Sequence, residues 1–305
     1  MVWIEGGTFR MGSDRHYPEE APIHERCVAS FWIDRVPVTQ GEFGRFVTAT
    51  GYRTVAERPP RPEDYPGADP AQLVPGSVVF TPPASRAAMR FPGDWWRFVP
   101  GACWRDPDGS GAVPDPRHPV VQVCHADAAA YAAWAGKALP SEAEWEFAAQ
   151  GLEGAEFAWG DALALGGRHL ANTWQGEFPF ENRLEDGFVG TSPVGSFPPD
   201  RRGLFDMIGN VWEWTDEDWR SAHPRREARS CCSAFLPRAA EPAKGPLAGP
   251  MLRKVIKGGS HLCAPNYCHR YRPSARQPQS IDTGATHIGF RCVRRDRALA
   301  SRGCR

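Results

Sequence analysis

Lys257-Gly258-Gly259-Ser260-His261-Leu262-Cys263-Ala264-Pro265-Asn266-Tyr267-Cys268 sets two cysteines, with four residues between them, behind a glycine pair. His269-Arg270-Tyr271-Arg272 follows as a basic, tyrosine-containing exit. The spacing fits neither the common zinc fingers nor a CxxC redox motif. From the residues alone, three outcomes stay open. The sulfurs can close a disulfide or remain two buried thiols. Together with His261 and His269 they offer four N/S donors to zinc. As thiolates they suit Cu(I), a soft ion content with few ligands. Arg270, Arg272 and Arg276 lie close enough in sequence to favour the thiolate form.

Composition narrows the setting. The 305 residues are 41% hydrophobic, enough for a sizeable core. Lys and Arg number 36 against 36 Asp and Glu, which argues against nucleic-acid binding by phosphate neutralisation. With 31 glycines and 30 prolines, one residue in five breaks regular structure, and 12 tryptophans supply packing for the resulting loops. Neither an export signal nor a membrane-spanning apolar stretch is visible, so a cytoplasmic protein with no membrane partner is expected. Most of the nine cysteines should then be reduced thiols.

Regular elements concentrate in the first half. Residues 6–13 read as a strand running into a turn, and 26–34 as a second strand. Thr39 and Glu42 form a capping box ahead of an apolar stripe of Phe43, Phe46 and Val47. A helix is predicted over 126–136, with Tyr131 and Trp134 on one side. Ser141 and Glu144 cap another that runs to 149. Residues 55–117 are rich in Pro, Gly and Asp, and are expected to be a long ordered excursion over the main body. From 151 onward the pattern is one of short strands and loops. The expectation is a single α+β domain over 1–305 with high loop content.

Two further segments gather oxygens. Asn172-Thr173-Trp174-Gln175 leads to Asp186-Gly187-Phe188, and Asp206, Asn210 and Glu213 surround a glycine turn. Hard cations such as Ca²⁺ take such oxygens, although ordinary turn chemistry accounts for them equally well. His118, before Pro119, reads as a hydrogen-bonded turn residue. Cys27, Cys103 and Cys124 read as small apolar fillers, and Cys231-Cys232 as exposed loop thiols.

Assembled, these segments resemble the formylglycine-generating enzymes, or sulfatase-modifying factors. The likeness runs from Gly6-Gly7-Thr8-Phe9-Arg10-Met11-Gly12 to Gly289-Phe290-Arg291-Cys292. It passes through His118-Pro119-Val120-Val121, Trp134-Ala135-Gly136-Lys137, Leu139-Pro140-Ser141-Glu142-Ala143-Glu144-Trp145-Glu146 and Gly209-Asn210-Val211-Trp212-Glu213-Trp214. Those motifs mark a wide superfamily. The segment from Gly258 to Arg276 resembles the active-site stretch of true formylglycine generators, of the actinobacterial type.

The resemblance implies an α+β, loop-rich fold related to C-type lectins, usually monomeric. It implies O₂-dependent oxidation of a cysteine in an unfolded sulfatase segment, Cys-x-Pro-x-Arg, to Cα-formylglycine, with a thiol reductant. Cys263 and Cys268 would bind Cu(I), and the substrate thiolate would join them. Ser260 and Trp212 match catalytic positions, and Tyr267, Arg276 and His287 would lie in the substrate pocket. Asn172, Thr173, Asp186 and Phe188 would hold one structural Ca²⁺, and Asp206 and Glu213 a second. Secreted relatives carry disulfide cysteines at positions matching Ala132, Ala149 and Pro273, which leaves Cys292 without a partner here. His125 replaces a usual tryptophan, and His287 a frequent asparagine. Two rival readings are a non-catalytic lectin-like module and an iron sulfoxide synthase, for which no HxxxHxE is present.

Overall fold

A computed structural model describes residues 1–91, 93–151, 155–224 and 252–296. In chain order the elements are β1 (Val2–Ile4), β2 (Gly7–Met11), β3 (His24–Val28), β4 (Phe31–Ile33), α1 (Gln40–Thr50), β5 (Gly76–Phe80) and β6 (Trp96–Pro100). They continue with α2 (His125–Trp134), α3 (Glu142–Ala149), β7 (Ala164–Leu165), β8 (Arg168–His169), β9 (Trp212–Asp218), β10 (Arg253–Lys257), β11 (Arg276–Ser280), β12 (Ile288–Gly289) and β13 (Val293–Arg294). The strands form a three-stranded sheet, β1-β4-β13, and a four-stranded sheet, β11-β10-β9-β12, beside three two-stranded pairs.

The single strand expected over 26–34 is instead two strands in different sheets. Gly6 approaches so closely that a Cβ there would lie 2.5 Å from the Val28 carbonyl, and its N–H donates to Ser30 Oγ at 2.9 Å. This contact breaks the strand at Ala29-Ser30. Consequently β3 pairs with β2, whereas β4 passes between β1 and β13.

The helices begin where their caps dictate. Glu42 N donates to Thr39 Oγ1 at 3.2 Å, and Thr39 N donates to Glu42 Oε2 at 3.0 Å. The α1 face of Phe43, Phe46 and Val47 is buried, with Phe43 stacked on Tyr131 of α2. Thr39→Ala is expected to cost about 1 kcal/mol, measured as a lowered urea midpoint at unchanged slope. The α2 helix starts one residue before its predicted span and stops at Trp134, where Gly136 turns the chain at φ +66°. Ser141 and Glu144 cap α3, which is buried along most of its length.

Three widely separated sequence motifs meet at one buried point. Trp145 of α3 donates Nε1–H to Glu213 of β9 at 2.7 Å. Arg291, just after β12, grips the same carboxylate through Nε and Nη2, both at 2.7 Å. Nη2 also donates to the Phe205 and Asp206 carbonyls. This cluster fastens α3 to β9 and to the segment that follows β12.

The excursion over 55–117 carries the β5–β6 hairpin and lies against the body. Phe80 and Trp95 pack on Trp174 and Phe178, and this cluster also contains Leu262 and Ala264. Among the described residues, no helix is long and apolar enough to cross a membrane.

Candidate thiol-pair site

The site begins where β10 ends. Lys257 is fully buried, with Nζ 2.8 Å from Glu146 Oε2 and 3.5 Å from Glu142 Oε1. Gly258 and Gly259 then adopt φ of +92° and +71°, values that cost glycine little. A Cβ on Gly259 would stand 2.8 Å from Tyr271 Cα, so the glycine pair lets the outgoing loop fold back on its own return. Within the loop, Ser260 Oγ accepts from Leu262 N and its carbonyl accepts from Cys263 N. The Ala264 carbonyl accepts from both Tyr267 N and Cys268 N. These turns bring the two sulfurs to 3.3 Å.

At that separation the cysteines are free thiols, well beyond a disulfide bond of about 2 Å. Both are buried. Burial pushes the Cys263 thiol well above its ordinary range. Cys268 moves down, first because it accepts the Cys263 S–H and then because Arg270 stands beside it. The two sulfurs thus titrate as a pair, with burial opposing the thiolate at Cys263 and Arg270 favouring it at Cys268. Of the three nearby arginines only Arg270 serves the sulfurs. Its guanidinium lies 3.8 Å over the Tyr17 ring and pairs with Glu19. Arg272 is spent on a two-pronged pair with buried Glu20, at 2.9 and 2.6 Å.

Zinc finds no complete shell here. His261 Nδ1 faces the Asn210 carbonyl at 2.9 Å, while His269 turns away to Glu156. Among the described residues, no third His, Cys, Asp or Glu donor gathers with the two sulfurs. What remains is a two-sulfur donor set, which fits a soft, low-coordinate ion.

Trp212 opens β9 and shares a buried cluster with Cys263, Cys268 and Tyr271. Its N–H donates to the carbonyl of His287. The His287 ring lies 4.7 Å from Trp96, and burial, with His261 adding to it, pushes its pKa down to about 3. His287 is thus a neutral imidazole on the flank of Trp212. Tyr267 is half exposed and stacks on Phe178 at 4.4 Å, with Trp95 against its edge. Arg276 departs from the expected pocket role. It is buried, paired with Glu142 at 2.7 and 2.9 Å, and hydrogen-bonded to the carbonyls of Glu19 and Arg220. The 230 Å³ cavity it borders contains no residue of Ser260–Cys268. Its guanidinium ties α3 to β11 and spends four of its five donors on these partners.

The first oxygen-rich segment comes together as a unit. Asp186 Oδ2 accepts from Thr173 N at 3.1 Å, and Oδ1 from Phe188 N at 3.0 Å. The Thr173 carbonyl and Asp186 Oδ2 converge on the Gln175 amide nitrogen, a positive pole between two oxygens. Buried Asn172 holds the Gly190 carbonyl through Nδ2. In the second segment Asp206 takes φ +53° and accepts from Gly195 N at 2.7 Å. Burial pushes its carboxyl up to about 6, and the Glu213 charge adds to this. Both Glu213 oxygens are already occupied by Arg291 and Trp145, so a cation there would share them.

Sequence reasoning missed the supports contributed from afar. Tyr17 and Glu19 position Arg270, and Trp95 and Phe178 wall Tyr267; no local pattern marks any of them. His118 is hydrogen-bonded as expected, through Nδ1 to Thr191 Oγ1 at 2.8 Å. Cys103, Cys124 and Cys292 are free and buried. Cys27 is not a core filler: it is exposed on β3 and disulfide-bonded, because its position on that strand points to solvent. Cys231 and Cys232 lie outside the described residues.

Residues 1–296 match the model of the family described as "Sulfatase-modifying factor enzyme 1-like domain". The formylglycine-generating enzyme of Mycobacterium tuberculosis is 54% identical over 295 residues, covering 96% of this chain and 97% of the relative. That of Thermomonospora curvata is 44% identical, covering 96% and 92%. The solved structure of PvdO from Pseudomonas aeruginosa superposes with a TM-score of 0.60 at 26% identity, covering 97% of this chain and 94% of that one. With the fold, the thiol pair and these likenesses agreeing over nearly its whole length, the chain belongs to the sulfatase-modifying factor enzyme 1-like family.

Proposed function

We propose that this chain is a formylglycine-generating enzyme, oxidising a cysteine within an extended Cys-x-Pro-x-Arg segment of a sulfatase to Cα-formylglycine. The observation that carries the reading is the buried pair of free sulfurs, 3.3 Å apart, with no third His, Cys, Asp or Glu donor gathered beside them among the described residues. Cys263 and Cys268 would hold Cu(I), which supplies the one-electron chemistry that lets O₂ react. The open side of a two-donor set suits a third sulfur, that of the substrate. Arg270 favours the thiolate form of Cys268, and the turns of Ser260 and Ala264 fix the spacing of the two sulfurs. Buried Trp212 and the neutral ring of His287 keep this part of the site dry and uncharged. Half-exposed Tyr267 offers an aromatic surface beside Cys268 for the incoming peptide. In the overall balance the substrate cysteine supplies half the electrons that reduce O₂, and an external thiol reductant supplies the rest.

Purified protein given Cu(I), a thiol reductant and a Cys-x-Pro-x-Arg peptide should consume O₂ and convert the peptide to an aldehyde that captures a hydroxylamine probe. Copper-loaded protein that leaves the peptide unchanged would defeat the proposal.

The two oxygen-rich segments are proposed as structural Ca²⁺ sites, at Asn172, Thr173, Asp186 and Phe188 and at Asp206 and Glu213. The crowded oxygens of Asp186 and the buried carboxyl of Asp206 support this. Chelating calcium is expected to lower the melting temperature, by about 2–4 °C for each kcal/mol of binding free energy lost. Asp186→Ala should remove the part of that response that belongs to the first site. A cytoplasmic setting is part of the same proposal. Five free buried thiols suit a reducing compartment, and disulfide-bonded Cys27 is the exception.

A further inference from the structure

We infer that His16, Glu156 and His269 form a divalent transition-metal site of the zinc type, separate from the thiol pair and from the oxygen-rich segments. One ligand atom from each of the three lies within 4.8 Å of the others. His269 Nε2 already stands 2.9 Å from Glu156 Oε1, and the His16 ring meets the His269 ring edge-on at 5.7 Å and 86°. Two imidazole nitrogens and one carboxylate oxygen are the three-ligand set with which zinc keeps a fourth position open. The same set is poor for calcium, which wants six to eight oxygens. His16 and Glu156 line a cavity of about 830 Å³, so an ion held there would face solvent and a potential fourth ligand.

The surroundings are compatible with a cation. Arg272, whose charge acts on both His16 and His269, is paired with Glu20 through two hydrogen bonds. The backbone is held beside two of the three ligands, His269 and Glu156. His269 N donates to Tyr17 Oη at 3.1 Å, and the His269 carbonyl accepts from Arg272 Nε at 2.7 Å. Glu156 N donates to Asp161 Oδ1 at 2.9 Å. Phe157, next to Glu156, stacks on Tyr271. The ligands thus come from the segment before the short 3₁₀ turn Pro18–Glu20, from the 155–161 loop and from the residue immediately after Cys268. A bound ion would cross-link these three segments beside the exit of the thiol loop.

The test is a calorimetric titration of Zn²⁺ into full-length Cys263→Ser/Cys268→Ser protein with calcium in excess, which removes the sulfurs and fills oxygen sites. One equivalent should bind. Adding His269→Ala, or separately the shape-preserving Glu156→Gln, should each weaken binding by more than about tenfold. Both residues are partly exposed, so the variants are expected to fold, and a thermal melt without zinc checks this. Absence of zinc binding, or a zinc equivalent unaffected by both substitutions, overturns the assignment. Because the double-serine background cannot form formylglycine, the outcome is independent of the proposed oxidation.

Discussion

Cys268→Ser is expected to lower formylglycine formation at least about 100-fold, since replacing even an outer partner of a metal ligand costs about 10–100-fold. The substitution leaves a hydroxyl where the thiolate sits, and a hydroxyl is a poor partner for a soft ion. Cys263→Ser should be equally damaging, because two sulfurs are the whole protein donor set. Binding an ion through both sulfurs must displace any proton they hold, and burial favours the protonated form of Cys263, so Cu(I) affinity should rise with pH, by about tenfold per pH unit for each proton released. A competition titration with a chromogenic copper chelator at several pH values reads both effects. Unchanged turnover in Cys268→Ser, or a copper affinity flat with pH, contradicts this account.

Arg291→Met should be the most destabilising single change away from the thiols. It removes two charge-assisted hydrogen bonds from Glu213 and leaves that carboxylate buried without a counter-charge. Breaking a buried pair in this way costs about 3–5 kcal/mol. Urea unfolding followed by tryptophan fluorescence measures the loss. Adding Glu213→Gln to Arg291→Met removes the stranded charge and should return part of the stability, a non-additivity expected of direct partners. A loss below about 1 kcal/mol for Arg291→Met would show that Arg291 is not needed to neutralise Glu213.

Much of this was legible because it is local. Thr39, Ser141 and their glutamates announce α1 and α3, and the glycine pair before Ser260 announces a turn that other residues would strain. The motifs around Trp145, Glu213 and Arg291 were visible as strings, but their meeting at one carboxylate was not, since it is a long-range packing event. The same limit explains Arg276, for which the family resemblance implied a pocket role. Its partners, Glu142 and the carbonyls of Glu19 and Arg220, lie 134, 257 and 56 residues away. The break at Ala29-Ser30 was hidden for a related reason: it is imposed by Gly6, a neighbour in space.

The thiol loop is held by the first twenty residues of the chain. Glu20 grips Arg272 across 252 positions, and Glu19 and Tyr17 secure Arg270. The outer strand β13 likewise completes a sheet that β1 and β4 start. During synthesis, therefore, residues 17–20 must wait until residues 270–272 have left the ribosome before they find these partners. Contacts of such separation make folding slow. A nascent chain stalled before residue 270 would carry both cysteines with neither arginine clamp, and oxidation activity should arise only as the final step of assembly.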